Sequence, residues 1–530
     1  MQKTTFLDLF CGCGGFSLGM ERAGFQCLAG IDFNLEAVNV FRANFPHVPC
    51  VLQEDLNQFT PKELEALIGQ KEVDVIVGGP PCQGFSQARQ VDGSNHGPRI
   101  IADPRRQLYQ RFLAFIEHFK PKVFVMENVL GIRTAAKGEY FTRVQAEARA
   151  LGYQVVPRIE DASNLGVPQM RRRQLFIGVR LDVHGYLPQD IPAAPRAVLG
   201  ATLGDAIMDL PKIASADGAQ ELDYDLKRRQ QHIRGNNFHY IHRVLEVSRA
   251  RKLTGHESRP HSQRDLRDFA KLAEGDNSRE AMRRGVQFEF PYNKSTFKDR
   301  YTRQSRSRPC STIVAHLSKD GLMFIHPTQN RSITPREAAR VQTFPDWFKL
   351  PVLRTHQFRI IGNAVPPLVS EAIGLAIARL LNSSAGITIG RKGKVIPFSR
   401  AKTTQSIPSS QEEALSWLAE IASKTRQELR EIDAMLFLQA WHSLLYLYPD
   451  LHPDNAIDHG ESKEINTSYK HDVLDLSERY IRSGWPVLLE HIGHEAWRRY
   501  KAGIISEGNF YCIDAQRAGF AIHSPSFTAA

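Results

Sequence analysis

Residues 8–19 read DLFCGCGGFSLG. They close an apolar run, residues 4–10, and open a helical pattern, residues 15–23, that stops at Gly24. Glycine in that place suits the left-handed turn that ends a helix. Strand, glycine loop and helix in this order form the first unit of an open α/β sheet, with backbone N–H groups facing a ligand at the helix start. Gly12, Gly14 and Gly15 are therefore the first candidate cofactor contacts. Many nucleotide-binding folds share such a loop. A nicotinamide oxidoreductase would explain this loop and no other feature of the chain.

The pattern continues outward. Residues 26–32 read as a second strand ending in Asp32, about twenty residues beyond the loop, where a carboxylate accepts bonds from a ribose. Phe33 beside it can cover an adenine ring. Asp55, near the end of a third strand, is a candidate for the adenine edge, and an ordinary loop carboxylate fits its spacing equally well. Strands are expected at 73–77, 123–126, 153–158 and 175–179, with helices at 35–44, 105–119 and 140–151. Such alternation predicts an α/β fold with a mostly parallel sheet.

Residues 78–86, GGPPCQGFS, follow the apolar strand 73–77. Two glycines permit close approaches, and two prolines stiffen the turn that presents Cys82. A free cysteine is usually inert packing. Here the constrained turn at a strand's carboxyl end argues for a nucleophile. Glu127 ends the next strand on the same edge. Arg171 and Arg173, in the stretch QMRRR, alternate ahead of LFIGV and are expected to point to one face.

The chain has 530 residues and a formal net charge of +11. Residues 226–308 hold 21 Lys plus Arg against 9 Asp plus Glu, a net of +12, so this segment carries the whole excess. It reads as a phosphate-facing surface, a solvated basic face being the plainer alternative. No apolar run approaches the ~20 residues of a bilayer span, and the opening MQKTTFLDLF lacks a secretory pattern. Seven cysteines without framework spacing suggest reduced thiols and a cytoplasmic location. Cys11 and Cys13 lack a second ligand pair, so no metal is expected.

Taken together, DLFCGCGGFSLG, GGPPCQGFS, ENV, QMRRR, RSITPREAARVQTFPD and IGNAVPP occur in the order of the cytosine-C5 DNA methyltransferase family. The chain resembles that family over residues 4–382, with a gap in the basic middle. The two cysteines of the first glycine loop depart from its usual wording. The resemblance implies a Rossmann-like methyltransferase fold that uses S-adenosylmethionine as methyl donor. It implies Cys82 as the thiolate that adds to cytosine C6, Glu127 on the N3 and amine edge, and Arg171 with Arg173 near O2. Phe10, Pro80, Asn363 and Ala364 join the glycines, Asp32, Phe33 and Asp55 around the cofactor. Residues 87–105 resemble a loop that closes on DNA, from which the target base is flipped out.

The implied organisation is a catalytic domain over 1–185, completed by 355–384. A smaller, irregular target-recognition domain spans 186–354, a linker 385–410, and a mainly helical accessory domain 411–530. The expected partner is double-stranded DNA, with a separate cognate restriction endonuclease, no membrane and a monomeric enzyme. Two alternatives stand: the same chemistry on RNA cytosine, and a catalytically silent DNA-binding homologue. Pro453-Asp454 with Glu461 and Lys463 resembles a nuclease signature, though no apolar strand carries it.

Overall fold

The computed structural model of the chain describes residues 3–81, 108–183, 187, 191–232, 236–290 and 301–385. Cys82, the loop that follows it, the linker and the tail with its nuclease-like signature lie outside the described residues. One compact unit, Met1–Val183 with Ile191–Ala378, holds everything discussed below; a second takes His184–Asp190 and Arg379–Ala530.

The expected alternation is present. β1 (Thr5–Leu9), α1 (Gly15–Arg22), β2 (Gln26–Asp32), α2 (Leu35–Asn44), β3 (Cys50–Gln53), α3 (Pro61–Ile68) and β4 (Val75–Gly78) run in sequence. They are followed by α4 (Leu108–Phe119), β5 (Val123–Asn128), α5 (Glu139–Ala150), β6 (Tyr153–Asp161) and β7 (Arg172–Arg180). The seven strands order as β3-β2-β1-β4-β5-β7-β6. Pairings among β1 to β5 are parallel. β7 is antiparallel to both β5 and β6. Its connection from β6 is a short loop with a 3-10 turn, too short for the crossover a parallel strand requires. The strand order reverses between β1 and β4, so the crevice beyond their carboxyl ends is the natural ligand site. Gly78 belongs in this seam, because a Cβ there would lie 2.3 Å from the Leu9 carbonyl oxygen.

Beyond β7 regularity falls, as the Pro- and Gly-rich sequence implies. Short helices α6 (Leu203–Ile207), α7 (Leu226–His232), α8 (Asn236–His239), α9 (Gln263–Ala270) and α10 (Ser278–Arg283) accompany a two-stranded ribbon of β8 (Gly218–Leu222) and β9 (Leu253–Glu257). Phe269, Leu272, Phe288, Phe290, Tyr301 and Ile325 form a separate small core. Where ladders are few, side chains satisfy the backbone. Buried Arg303 donates to the carbonyls of Leu272, Phe269 and His326 at 3.0, 2.7 and 2.8 Å.

α11 (Pro335–Val341) begins with Pro335 and a capping box between Thr334 and Glu337, as TPRE predicts. It is buried throughout, and its charged side chains are satisfied within the protein. Arg340 meets Asp209 and Asp346 at 2.6 and 2.5 Å. Glu337 accepts a two-pronged pair from Arg331 at 2.8 Å each. α12 (Arg354–Asn363) and α13 (Pro367–Ala385) then return to the sheet. α13 is apolar on nearly every side because protein surrounds it. Ser370 on α13 donates to the Gly15 carbonyl at 2.9 Å.

The basic middle, residues 226–308, divides its charge between internal pairs and open surface. Buried Arg303 is taken up by carbonyls, and at the surface Arg267 pairs with Glu289, Arg284 with Asp276, Lys252 with Asp223 and Lys271 with Asp268. Lys227, Arg243, Arg251, Arg279, Arg283 and Arg308 remain exposed. Their side chains have no partner among the described residues.

Candidate active site

The glycine loop turns on a residue that is not glycine. Phe10, directly after β1, takes a left-handed backbone at φ 59°. A bulky side chain there is strained, and such strain gathers at functional sites. Gly12 follows at φ 54° with open space where a Cβ would stand. Gly14 caps α1 at φ 91°, and a Cβ on it would strike the Phe45 ring. A Cβ on Gly15 would lie 2.2 Å from the Val365 carbonyl oxygen, so the far end of the chain forms one wall of this loop.

Asp32 stands at the end of β2, as expected. Its Oδ2 accepts from the Gly12 N–H at 2.9 Å and its Oδ1 from the Asn34 N–H at 2.8 Å. Burial raises its pKa, and these two bonds oppose the rise. The adjoining Phe33 is 72% exposed, an unsatisfied apolar ring beside an open glycine loop. Asp55 is half-buried and binds Asn57 through the backbone N–H at 2.9 Å and the side-chain amide at 3.0 Å, a local turn. The cradle at Gly12, the carboxylate at Asp32 and the ring of Phe33 suit a nucleoside-bearing methyl donor.

Asp8, inside β1, is buried and accepts from Ser17 Oγ at 2.6 Å. Burial lifts its pKa to about 7. Cys11 and Cys13 are buried free thiols. Burial pushes Cys13 up to about 12 and Cys11 well above its ordinary value, so neither is a ready thiolate.

The strand ends beside this loop carry the second half of the site. Pro80 is buried, and its carbonyl accepts from Asn128 Nδ2 at 3.3 Å. Glu127 projects over Gly79, where a Cβ would lie 3.4 Å from its Oε2. Arg173 on β7 reaches the same carboxylate, with Nε 2.9 Å from Glu127 Oε1. Both side chains are mostly sheltered, at 18% and 13% exposure. A sheltered carboxylate held by a guanidinium, two strand ends from the glycine loop, can orient a polar ring edge.

Arg171 takes a different place from Arg173. It precedes β7 rather than lying on it, so the alternation that would place it beside Arg173 does not apply. Its guanidinium is buried and donates to the carbonyls of Ile313 at 2.9 Å, Gly362 at 3.4 Å and Ala364 at 3.0 Å. Ala364 is buried, whereas Asn363, the last residue of α12, is exposed. Sequence reasoning also passed over Asn128, Gln169, Gln342 and Ser370. All four are buried polar residues, and the signal for the first three was a polar residue inside ENV, QMRRR and VQTF.

Comparison with known proteins bears on the family of the chain. Residues 4–379 match the model of the family described as C-5 cytosine-specific DNA methylase. The type II methyltransferase M.DdeI of Desulfomicrobium norvegicum is 35% identical over 400 residues, covering 70% of this chain and 88% of that protein. M.AgeI of Thalassovita gelatinovora, also a type II methyltransferase, is 32% identical over 431 residues, covering 70% of this chain and 98% of its own. Among solved structures, a candidate DNA modification methyltransferase encoded within an E. coli prophage superposes with a TM-score of 0.56 at 28% identity, covering 72% of this chain and 99% of that one. The chain belongs to the C-5 cytosine-specific DNA methylase family and is a DNA cytosine-C5 methyltransferase.

Proposed function

We propose that the chain methylates C5 of a cytosine flipped out of one specific duplex-DNA sequence, with Cys82, Glu127 and Arg173 as its catalytic residues. The observation that carries this reading is the Glu127–Arg173 pair over Gly79, on the strand whose end leads to Cys82. Cytosine C5 is a poor nucleophile. Addition of the Cys82 sulfur to C6 gives C5 enamine character, which requires the thiolate held over one ring face. Glu127 bonds the N3 and amine edge and stabilises the charge that builds in the ring. Arg173 fixes the Glu127 carboxylate and lies toward O2. After methylation the C5 proton leaves to a base and the C6–S bond breaks, returning the thiolate.

S-adenosylmethionine, when bound, supplies the electrophilic methyl group. Gly12, Gly14, Gly15, Asp32 and Phe33 would hold it, with Phe10, Asp55, Pro80, Asn363 and Ala364 around them. No metal is invoked. The exposed cations of residues 226–308 serve as phosphate contacts of a target-recognition domain. The family match favours DNA over RNA, and the functional counterpart is a separate restriction endonuclease. The enzyme acts as a monomer in the cytoplasm.

Bisulfite sequencing of DNA from cells expressing the full chain tests this reading. Protected cytosines are expected in one sequence context, and Cys82→Ala should abolish them while DNA binding persists. DNA bearing 5-fluorocytosine in that context should form a stable adduct with the unaltered chain, since fluorine blocks loss from C5. Protection undiminished in Cys82→Ala would remove the nucleophile assignment.

A further inference from the structure

Three segments far apart in sequence are joined by buried polar side chains. Residues 168–170 pair with residue 310: Cys310 N–H donates to the Pro168 carbonyl at 2.8 Å, and Met170 N–H to the Cys310 carbonyl at 2.8 Å. Gln169 Oε1 accepts from the Ile313 N–H at 3.1 Å, and its Nε2 donates to Gln342 Oε1 at 2.6 Å. Gln342 Nε2 donates in turn to the carbonyls of Ile361 at 2.7 Å and Ala364 at 3.3 Å. Arg171 donates to Ile313, Gly362 and Ala364. The Ala364 carbonyl thus accepts from Arg171 and Gln342 together. Gln169 and Gln342 are fully buried, and Arg171 is 2% exposed.

The two ends of this network face different ligands. Arg171 lies just before β7 and two residues before Arg173, which holds Glu127. Ala364 follows Asn363, and the next carbonyl, of Val365, abuts Gly15 of the glycine loop. Gly362 packs closely on the 314–315 backbone, since a Cβ on it would lie 2.3 Å from the Val314 carbonyl carbon. Displacing residues 361–364 would strip acceptors from a buried guanidinium and a buried amide, which is strongly disfavoured. The segment beside the cofactor loop and the entry to β7 therefore move together or not at all.

We propose that Arg171 and Gln342 are positioning residues that couple the cofactor pocket to the base-binding pair Glu127–Arg173, so that each ligand tightens binding of the other. This rests on the methyltransferase reading above. Linkage makes the effect reciprocal. It also explains the residue type: a lysine keeps the charge but loses the planar fork that spans separated carbonyls.

The test uses the full chain, S-adenosylhomocysteine, and a duplex carrying the sequence found by bisulfite mapping. Dissociation constants are measured for each ligand alone and with the other saturating. Unaltered protein should show mutual tightening of about tenfold or more. Arg171→Lys and Gln342→Met should each reduce that factor toward one, by more than either single-ligand affinity changes. If Arg171→Lys does not fold, Gln342→Met decides. Folded variants that keep the full tightening factor overturn the proposal. So do variants that lose both separate affinities and thermal stability in proportion, which is the mark of a structural role alone. Unaltered protein that binds both ligands without mutual tightening overturns this inference and leaves the functional reading intact. Unaltered protein that binds neither overturns both.

Discussion

Arg173 Nε lies 2.9 Å from Glu127 Oε1, across the seam where β7 runs antiparallel to β5. Neither side chain is fully exposed, so each holds the other in direction. Glu127→Gln and Arg173→Ala should each lower the single-turnover rate by about 10²–10⁴-fold. The double variant should fall little below the worse single one, because residues acting as a unit are non-additive. Rapid-quench kinetics on all four proteins checks this, and additive losses would mean two independent roles.

Asp32→Asn should weaken S-adenosylmethionine binding by about 1–3 kcal/mol, the range for a bond to a charged group. Asn can still accept from one of the two N–H groups that Asp32 now holds, so thermal stability should change less than affinity. Asp55→Ala should weaken the same ligand by a smaller amount, since the Asp55 carboxylate is already engaged in a local turn with Asn57. Titration calorimetry reports both, and unchanged affinity in both would move the pocket elsewhere.

Asp8 offers a pH test. Its carboxyl is held at about 7 against an ordinary 3.8, chiefly by burial. Between those values the folded state keeps a proton that the unfolded chain has shed, so stability falls as pH rises through the window. Asp8→Asn abolishes that dependence. It should raise unfolding free energy above pH 7 by a few kcal/mol, at ~1.4 kcal/mol per pH unit, and give no gain below about pH 4. Urea unfolding at pH 4 and pH 8 reads the difference.

Salt dependence separates surface charge from scaffold charge. Replacing any one phosphate-contacting residue among Lys227, Arg243, Arg251, Arg279, Arg283 and Arg308 by Ala should flatten the slope of log affinity against log salt by about 0.9. Arg303→Ala should instead destabilise the small core, as loss of a buried, hydrogen-bonded charge does. Filter binding across a salt series distinguishes the two classes.

A chain ending at residue 385 should remain folded and methylate, because the family match closes at residue 379. Incorporation of labelled methyl groups into DNA is the measure. A soluble but inactive product would place part of the active site or of the DNA-binding surface beyond that point.

Local signals made much of this fold legible. β2 and α2 have the bounds that the apolar runs and Pro46 suggest, and Pro335 opens α11 where TPRE places it. α3 went unread although Thr60, Pro61 and Glu63 spell a capping box. What escaped the sequence depends on tertiary partners. Arg171 and Arg173 look equivalent until the start of β7 at Arg172 separates them. Nothing local tells Arg303, folded inward on carbonyls, from Arg308, exposed five residues further on. The antiparallel insertion of β7 follows from loop length and sheet closure, which a strand pattern alone leaves open.

The bond from Ser370 to the Gly15 carbonyl spans 355 positions. During translation the glycine loop leaves the ribosome well before its wall. At about 5–20 residues per second the delay is roughly 20–70 s. An interrupted chain has the loop without the wall, so the proposed pocket closes only after synthesis has passed α13's first turn.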